Sequence, residues 1–258
     1  MSNIVTSLQN EFDWPQNSWG TGYHPSMLGR SIYLFMRSRN LCNHRQYQNI
    51  GYNGGKMQDL ARQLTGLSIS KESKPYIAFV SYIGNDVCKR SLEQMTKPDE
   101  YLKHLVDGLS KLDSVSPKGS KVIVTGLVDG RILFKEMGHR KHPLGVTYTN
   151  IYDFLDCTDA NPCKTWLTSN DTRRTLTSER AAVLSKVAET HIKERGNSYE
   201  NIQVDYVPFP LKDALEEAAR RGMSPHELIE PVDGFHPSHE GKYSKLSFND
   251  KYRSKNVF

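Results

Sequence analysis

No apolar run in the 258 residues approaches the roughly 20 that a membrane-spanning helix needs, so no transmembrane segment is expected. The first residues, Met1-Ser2-Asn3-Ile4-Val5, lack the basic start and the apolar stretch of a signal peptide. On their own these absences point to a cytosolic protein. There is no internal repeat and no low-complexity tract, which excludes solenoid and linker-like architectures. There is no Lys/Arg-rich arm, zinc-finger spacing or RNA-recognition signature, and no nucleic-acid partner is expected. Neither sign of charge dominates. Thirty-four Lys+Arg against 29 Asp+Glu leave a formal charge of +5, which fits an ordinary basic surface or attraction to anionic substrates.

What is present fits a globular chain. Hydrophobic residues make up 37% and charged residues 24%, well short of a disordered composition. This length can bury a substantial core as one α/β domain or two small ones. Four cysteines stand at positions 42, 88, 157 and 163. Cys157 and Cys163 flank the turn-forming Asn161-Pro162, a setting for a local disulfide that leaves Cys42 and Cys88 as the second pair. Zinc is the alternative, but there is no CxxC and no nearby histidine pair at ligand spacing. The sequon Asn170-Asp171-Thr172 is compatible with glycosylation in a secretory context.

Three short runs rich in β-branched and aromatic residues, each bounded by breakers, read as strands: 76–83, 121–127 and 202–207. The first two are apolar almost throughout, as strands buried on both faces of a parallel sheet are. Helical spacing of apolar residues marks 56–65, 98–112, 177–191 and 211–220. Strands alternating with helices predict an α/β sandwich with a mostly parallel sheet, whose functional residues lie past the carboxyl ends of the strands.

Three short motifs occupy such places. Asn53-Gly54-Gly55 precedes a helix, Gly84-Asn85-Asp86 follows the first strand, and Asp233-Gly234-Phe235-His236-Pro237 lies near the C-terminus. In this order they resemble blocks II, III and V of the SGNH/GDSL hydrolase superfamily. Longer stretches resemble the catalytic subunit of the acyloxyacyl hydrolase family within it. These are 10–16, 42–50, 83–88, 142–145, 174–180 and 228–237, so that the resemblance spans about residues 10–238.

The chemistry of these residues agrees with that resemblance. An ester hydrolase needs a nucleophile, a base to take its proton and donors for the oxyanion. His236 is the candidate base and Asp233 the carboxylate that fixes its tautomer. The side-chain amide of Asn85 and the backbone N–H of Gly54 are the candidate oxyanion donors. Asp86 reads better as a loop-holding residue than as a catalytic one. Arg140 and His142, in a basic cluster before Pro143, are candidates for contact with an anionic glycolipid head group, against the plainer reading of a solvated loop.

The resemblance implies a three-layer SGNH-like sandwich and hydrolysis of secondary, acyloxyacyl-linked fatty chains of lipopolysaccharide-like or phospholipid substrates. It implies no metal and no cofactor within these residues, calcium being a matter for the family's upstream region. It further implies a saposin-like small subunit and a secreted or lysosomal setting. Block I, whose Gly-Asp-Ser holds the family's nucleophile, has no counterpart in the 258 residues. Block I, the first strand and the saposin-like region are therefore expected upstream of Met1, and 1–258 reads as a single partial SGNH domain. Ser2, Ser7, Ser18 and Ser26 stand in no strand-to-turn context. Two readings follow: a fragment of a full enzyme, or a catalytically inactive lipid- or glycan-binding homologue.

Overall fold

The computed structural model describes residues 16, 18–24, 31–51 and 53–244. The stretch 10–15 and Ser2, Ser7 and Ser26 lie outside them. The described strands are β1 (Ile77–Val80), β2 (Ser120–Thr125) and β3 (Ile202–Val207), in one parallel sheet of order β1-β2-β3. Ala78 pairs with Val122, and Val122 with Val204. The helices, in chain order, are α1 (Ile32–Arg39), α2 (Leu60–Gln63), α3 (Gly84–Val87), α4 (Pro98–Val115) and α5 (Arg131–Met137). They continue as α6 (Tyr148–Cys157), α7 (Asp171–Arg195), α8 (Leu211–Arg220) and α9 (His239–Ser244). Parallel strands joined through helices are the α/β arrangement expected from the sequence.

The chain divides into two compact units. One comprises 1–49, 133–154 and 210–258; the other comprises 50–132 and 155–209 and contains the whole sheet. In the sheet unit α4 packs against α2 and α7, and α7 packs against β3. Pro98 presets the first turn of α4, and Asp99 and Glu100 complement its dipole. Tyr101, Leu105, Leu109 and Leu112 recur at helical spacing along α4 and are fully buried. In the other unit, α8, α9 and the 3₁₀ turn Pro225–Leu228 pack together.

The structure moves several expected boundaries. β1 ends at Val80 rather than at Ile83, because Ile83 takes φ +82° and turns the chain into α3. α7 opens at Asp171 rather than at Thr177. Its first turn, Asp171-Thr172-Arg173-Arg174, has no apolar residue to reveal a period. Asn170 caps it, its Oδ1 accepting the Arg173 N–H at 2.9 Å.

The disulfide pairing differs as well. Cys88 is bonded to Cys163, while Cys42 and Cys157 are free and exposed. Asn161 Oδ1 accepts the Cys163 N–H at 2.9 Å, and Thr165 donates to the Val87 carbonyl at 2.9 Å. This tucks the fully buried Cys163 against the residue that follows α3. Nearness in sequence misled the expectation of a Cys157–Cys163 bridge, because Cys157 ends α6 on its exposed side.

Candidate active site

In the first unit, residues 229–238 form a tight turn. Gly234 N–H donates to the Glu230 carbonyl at 2.9 Å, Glu230 N–H donates to the His236 carbonyl at 2.8 Å, and Ile229 bridges to Pro237. Asp233 organises its tip. One carboxylate oxygen accepts the Phe235 and His236 N–H groups at 2.8 and 3.1 Å. The other accepts the His236 Nδ1–H at 2.6 Å. Gly234 takes φ +64°, a conformation that glycine adopts without steric cost.

The electrostatics follow from this geometry. Burial pushes the Asp233 carboxyl up, but the His236 hydrogen bond and charge, together with the two backbone donors, outweigh it. Its pKa stays below the usual carboxylate value. Asp233 is therefore an anion at neutral pH, fixing the imidazole with its proton on Nδ1 and assigning proton transfer to Nε2. The Asp233 side chain is 14% exposed and that of His236 44%, so the carboxylate is sheltered while the ring remains accessible.

Two tyrosines of α6 support the turn. Tyr148 donates to the Pro231 carbonyl and Tyr152 donates to the Gly234 carbonyl at 2.9 Å. Burial, with Asp233 and Glu230 nearby, pushes the Tyr148 phenol up to about 12. Burial and its neighbours also raise Tyr152. Sequence reasoning missed both. Their spacing of four, on one face of a helix, was the available signal.

His142 lies in the same unit and is 6% exposed. Its Nε2 is 2.8 Å from the Val232 carbonyl and its Nδ1 accepts the Leu144 N–H at 3.1 Å, so Nε2 carries the proton and donates. Both ring nitrogens are thus engaged within the protein, next to Asp233. Arg140 is exposed and, with Lys141, Tyr148, Met223 and Ile229, lines a groove of about 440 Å³.

The oxyanion candidates lie in the second unit, where the fold brings them together. The Asn85 amide donates one N–H to the Gly55 carbonyl at 3.1 Å, and an amide carries two. Gly54 is exposed with φ +76° and open space around its Cα, so a ligand can approach the backbone closely. Asp86 holds this region. Its carboxylate accepts the Met57 N–H at 3.1 Å, the Ile83 N–H at 3.3 Å and the Thr96 hydroxyl at 2.8 Å. Burial nonetheless raises its pKa above the usual value. The positive φ of the β-branched Ile83, fully buried just before Asn85, is local strain of the kind that gathers at functional turns.

Among the described residues no group of three or more His, Cys, Asp or Glu is placed to hold a metal ion, and no helix is long and apolar enough to cross a membrane.

Comparison with known proteins identifies the family. The sequence profile of the family described as GDSL-like Lipase/Acylhydrolase matches residues 6–243. The chain is 41% identical over 248 residues to a Homo sapiens protein named acyloxyacyl hydrolase, covering 92% of this chain and 43% of that protein. Its identity to the Mus musculus protein of the same name is 41% over 252 residues, and to the Oryctolagus cuniculus one 39% over 249, with the same coverage. The chain thus spans about 43% of the length of the curated relatives it matches. It belongs to the GDSL-like lipase/acylhydrolase family.

Proposed function

We propose that the chain carries the acid–base and oxyanion residues of a carboxylic-ester hydrolase of acyloxyacyl hydrolase type. In this reading His236 Nε2 takes the proton of a serine hydroxyl as it attacks the ester carbonyl, then returns it to the leaving alcohol. Asp233 holds the ring and stabilises the imidazolium. The Asn85 amide and the Gly54 N–H stabilise the tetrahedral oxyanion, each donor worth on the order of 3 kcal/mol. Water, deprotonated by the same imidazole, then attacks the acyl-serine carbonyl, releasing the fatty acid as the proton returns to the serine oxygen. The sequence has no Gly-Asp-Ser, so the serine of this reading lies outside the 258 residues.

The observation that carries the reading is the 2.6 Å contact of His236 Nδ1 with Asp233, in a turn that also satisfies that carboxylate with two backbone donors. The substrate class of this reading is secondary fatty acyl chains on a lipopolysaccharide-like or phospholipid backbone; the relatives' name supports the acyloxyacyl linkage and the family's description supports a lipid. The Cys88–Cys163 disulfide supports a secreted or lysosomal setting, where such bonds persist. A saposin-like small subunit is the partner this reading expects.

The test is release of fatty acid from an acyloxyacyl lipid by the product of the complete gene and by its His236→Ala variant. Turnover that the variant loses supports the reading. Tight lipid binding without turnover by the unmutated protein supports instead an inactive binding homologue.

A further inference from the structure

A second concave surface of the sheet unit lies beside Asn85 and has no part in proton transfer. Lys56, Lys89 and Arg90 line a cleft of about 510 Å³, with Gln94 and Asn161. Lys89 follows α3 and its ammonium donates to the backbone carbonyl of Asn85. Arg90 is neutralised by Asp159. Lys56 and Lys89 are not: among the described residues neither forms an ion pair, and Lys89 is half-buried. Two ammonium groups lining one concave place repel each other, and burial costs Lys89 hydration that the charges of Asp86 and Asp59 only partly offset. An anion bound there relieves that repulsion.

We propose that this cleft is an anion subsite that takes a phosphate group of the substrate. Two ammonium groups match the charge and the several acceptor oxygens of a phosphate monoester better than those of a single carboxylate. The subsite deepens the proposed function and rests on it in one respect: if Asn85 faces the reacting ester, the phosphate sits on the same molecule, close to the scissile bond. Burial, and next the charge of Lys56, hold Lys89 down to about 8, against opposing contributions from Asp86 and Asp59. A bound phosphate adds negative charge and raises it.

Trace acylation of lysines with acetic anhydride near pH 8, read residue by residue by mass spectrometry, tests this without turnover. Reactivity follows the free amine, which for a lysine titrating near the working pH falls about fivefold for the first unit that its pKa rises. Inorganic phosphate at matched ionic strength is expected to slow acylation of Lys89 by at least about threefold, leaving the exposed Lys111 and Lys118 unchanged. Dihexanoyl phosphatidic acid below its micellar concentration is expected to do so at lower concentration, and dihexanoylglycerol not at all. Lys56→Gln should slow acylation of Lys89 in the absence of phosphate and remove most of the phosphate effect. An unfolded variant would betray itself by uniform labelling.

Unchanged Lys89 reactivity, or an equal fall at Lys111, overturns the subsite. Protection by inorganic phosphate but not by the phosphatidic acid overturns its assignment to substrate. An inactive protein that still shows lipid-phosphate protection would sink only the esterase reading, whereas an active esterase without protection would sink only the subsite.

Discussion

Asp233 meets His236 twice, through the imidazole Nδ1–H at 2.6 Å and through the backbone N–H of the same residue at 3.1 Å. One carboxylate thus fixes both the ring and the chain that carries it. Asp233→Asn keeps the shape of the side chain but offers a donor where the ring's own N–H points. It is expected to lower kcat by about three to four orders of magnitude with KM little changed. Steady-state kinetics on a soluble ester check this. Acid stability should respond too. Because the folded-state pKa is depressed, the carboxylate stabilises the fold above its unfolded value, near about 4, and that contribution disappears as pH falls through the folded value. Thermal melts should therefore show wild type and Asp233→Asn converging below about pH 4.

Gly234 allows this geometry by having no side chain. A Cβ there would lie 2.4 Å from the Tyr152 hydroxyl and 2.8 Å from the Tyr148 ring, at a φ of +64°. Gly234→Ala is expected to cost about 2–4 kcal/mol by overpacking and backbone strain. It should also lower kcat, because it displaces the carbonyl that Tyr152 holds. Chemical denaturation with parallel kinetics checks both.

His142 gives a prediction opposite in kind to that of a substrate contact. With both ring nitrogens bonded inside the protein, His142→Ala should cost about 1–3 kcal/mol of stability by leaving Val232 and Leu144 without a partner. It should lower kcat through the displaced turn rather than raise KM. Arg140→Ala, at an exposed position, should leave stability within about 0.5 kcal/mol. A His142→Ala variant of unchanged Tm and raised KM would restore the head-group reading.

Non-reducing peptide mapping is expected to recover Cys88 joined to Cys163, a bridge across a sequence separation of 75 residues, and to alkylate Cys42 and Cys157. Cys163→Ser should lower stability by about 2–4 kcal/mol, and Cys157→Ser should be nearly silent.

Much of this was legible in the residues because it is local. The three strands announce themselves through β-branched runs between breakers, and α8 lies where its apolar spacing places it, at Leu211–Arg220. The Asp233–His236 contact is an i,i+3 relationship within one turn, so it could be read from spacing. The remainder depends on approaches between distant segments. The partner of Cys163 lies 75 residues away, and Tyr152 reaches Gly234 across 82 residues. The clustering of Lys56 with Lys89 needs the helix start after Gly54-Gly55 to fold against α3. No periodicity encodes such pairs.

Under the proposed function Asn85 stabilises the oxyanion that the Asp233–His236 pair helps to form. The kcat of Asn85→Ala, measured on the complete gene product with an acyloxyacyl lipid and with folding verified by an unchanged Tm, tests it most directly. A loss of about 10²–10³ in kcat with KM nearly unchanged is expected. A kcat within about twofold of wild type, or an effect confined to KM, would contradict it.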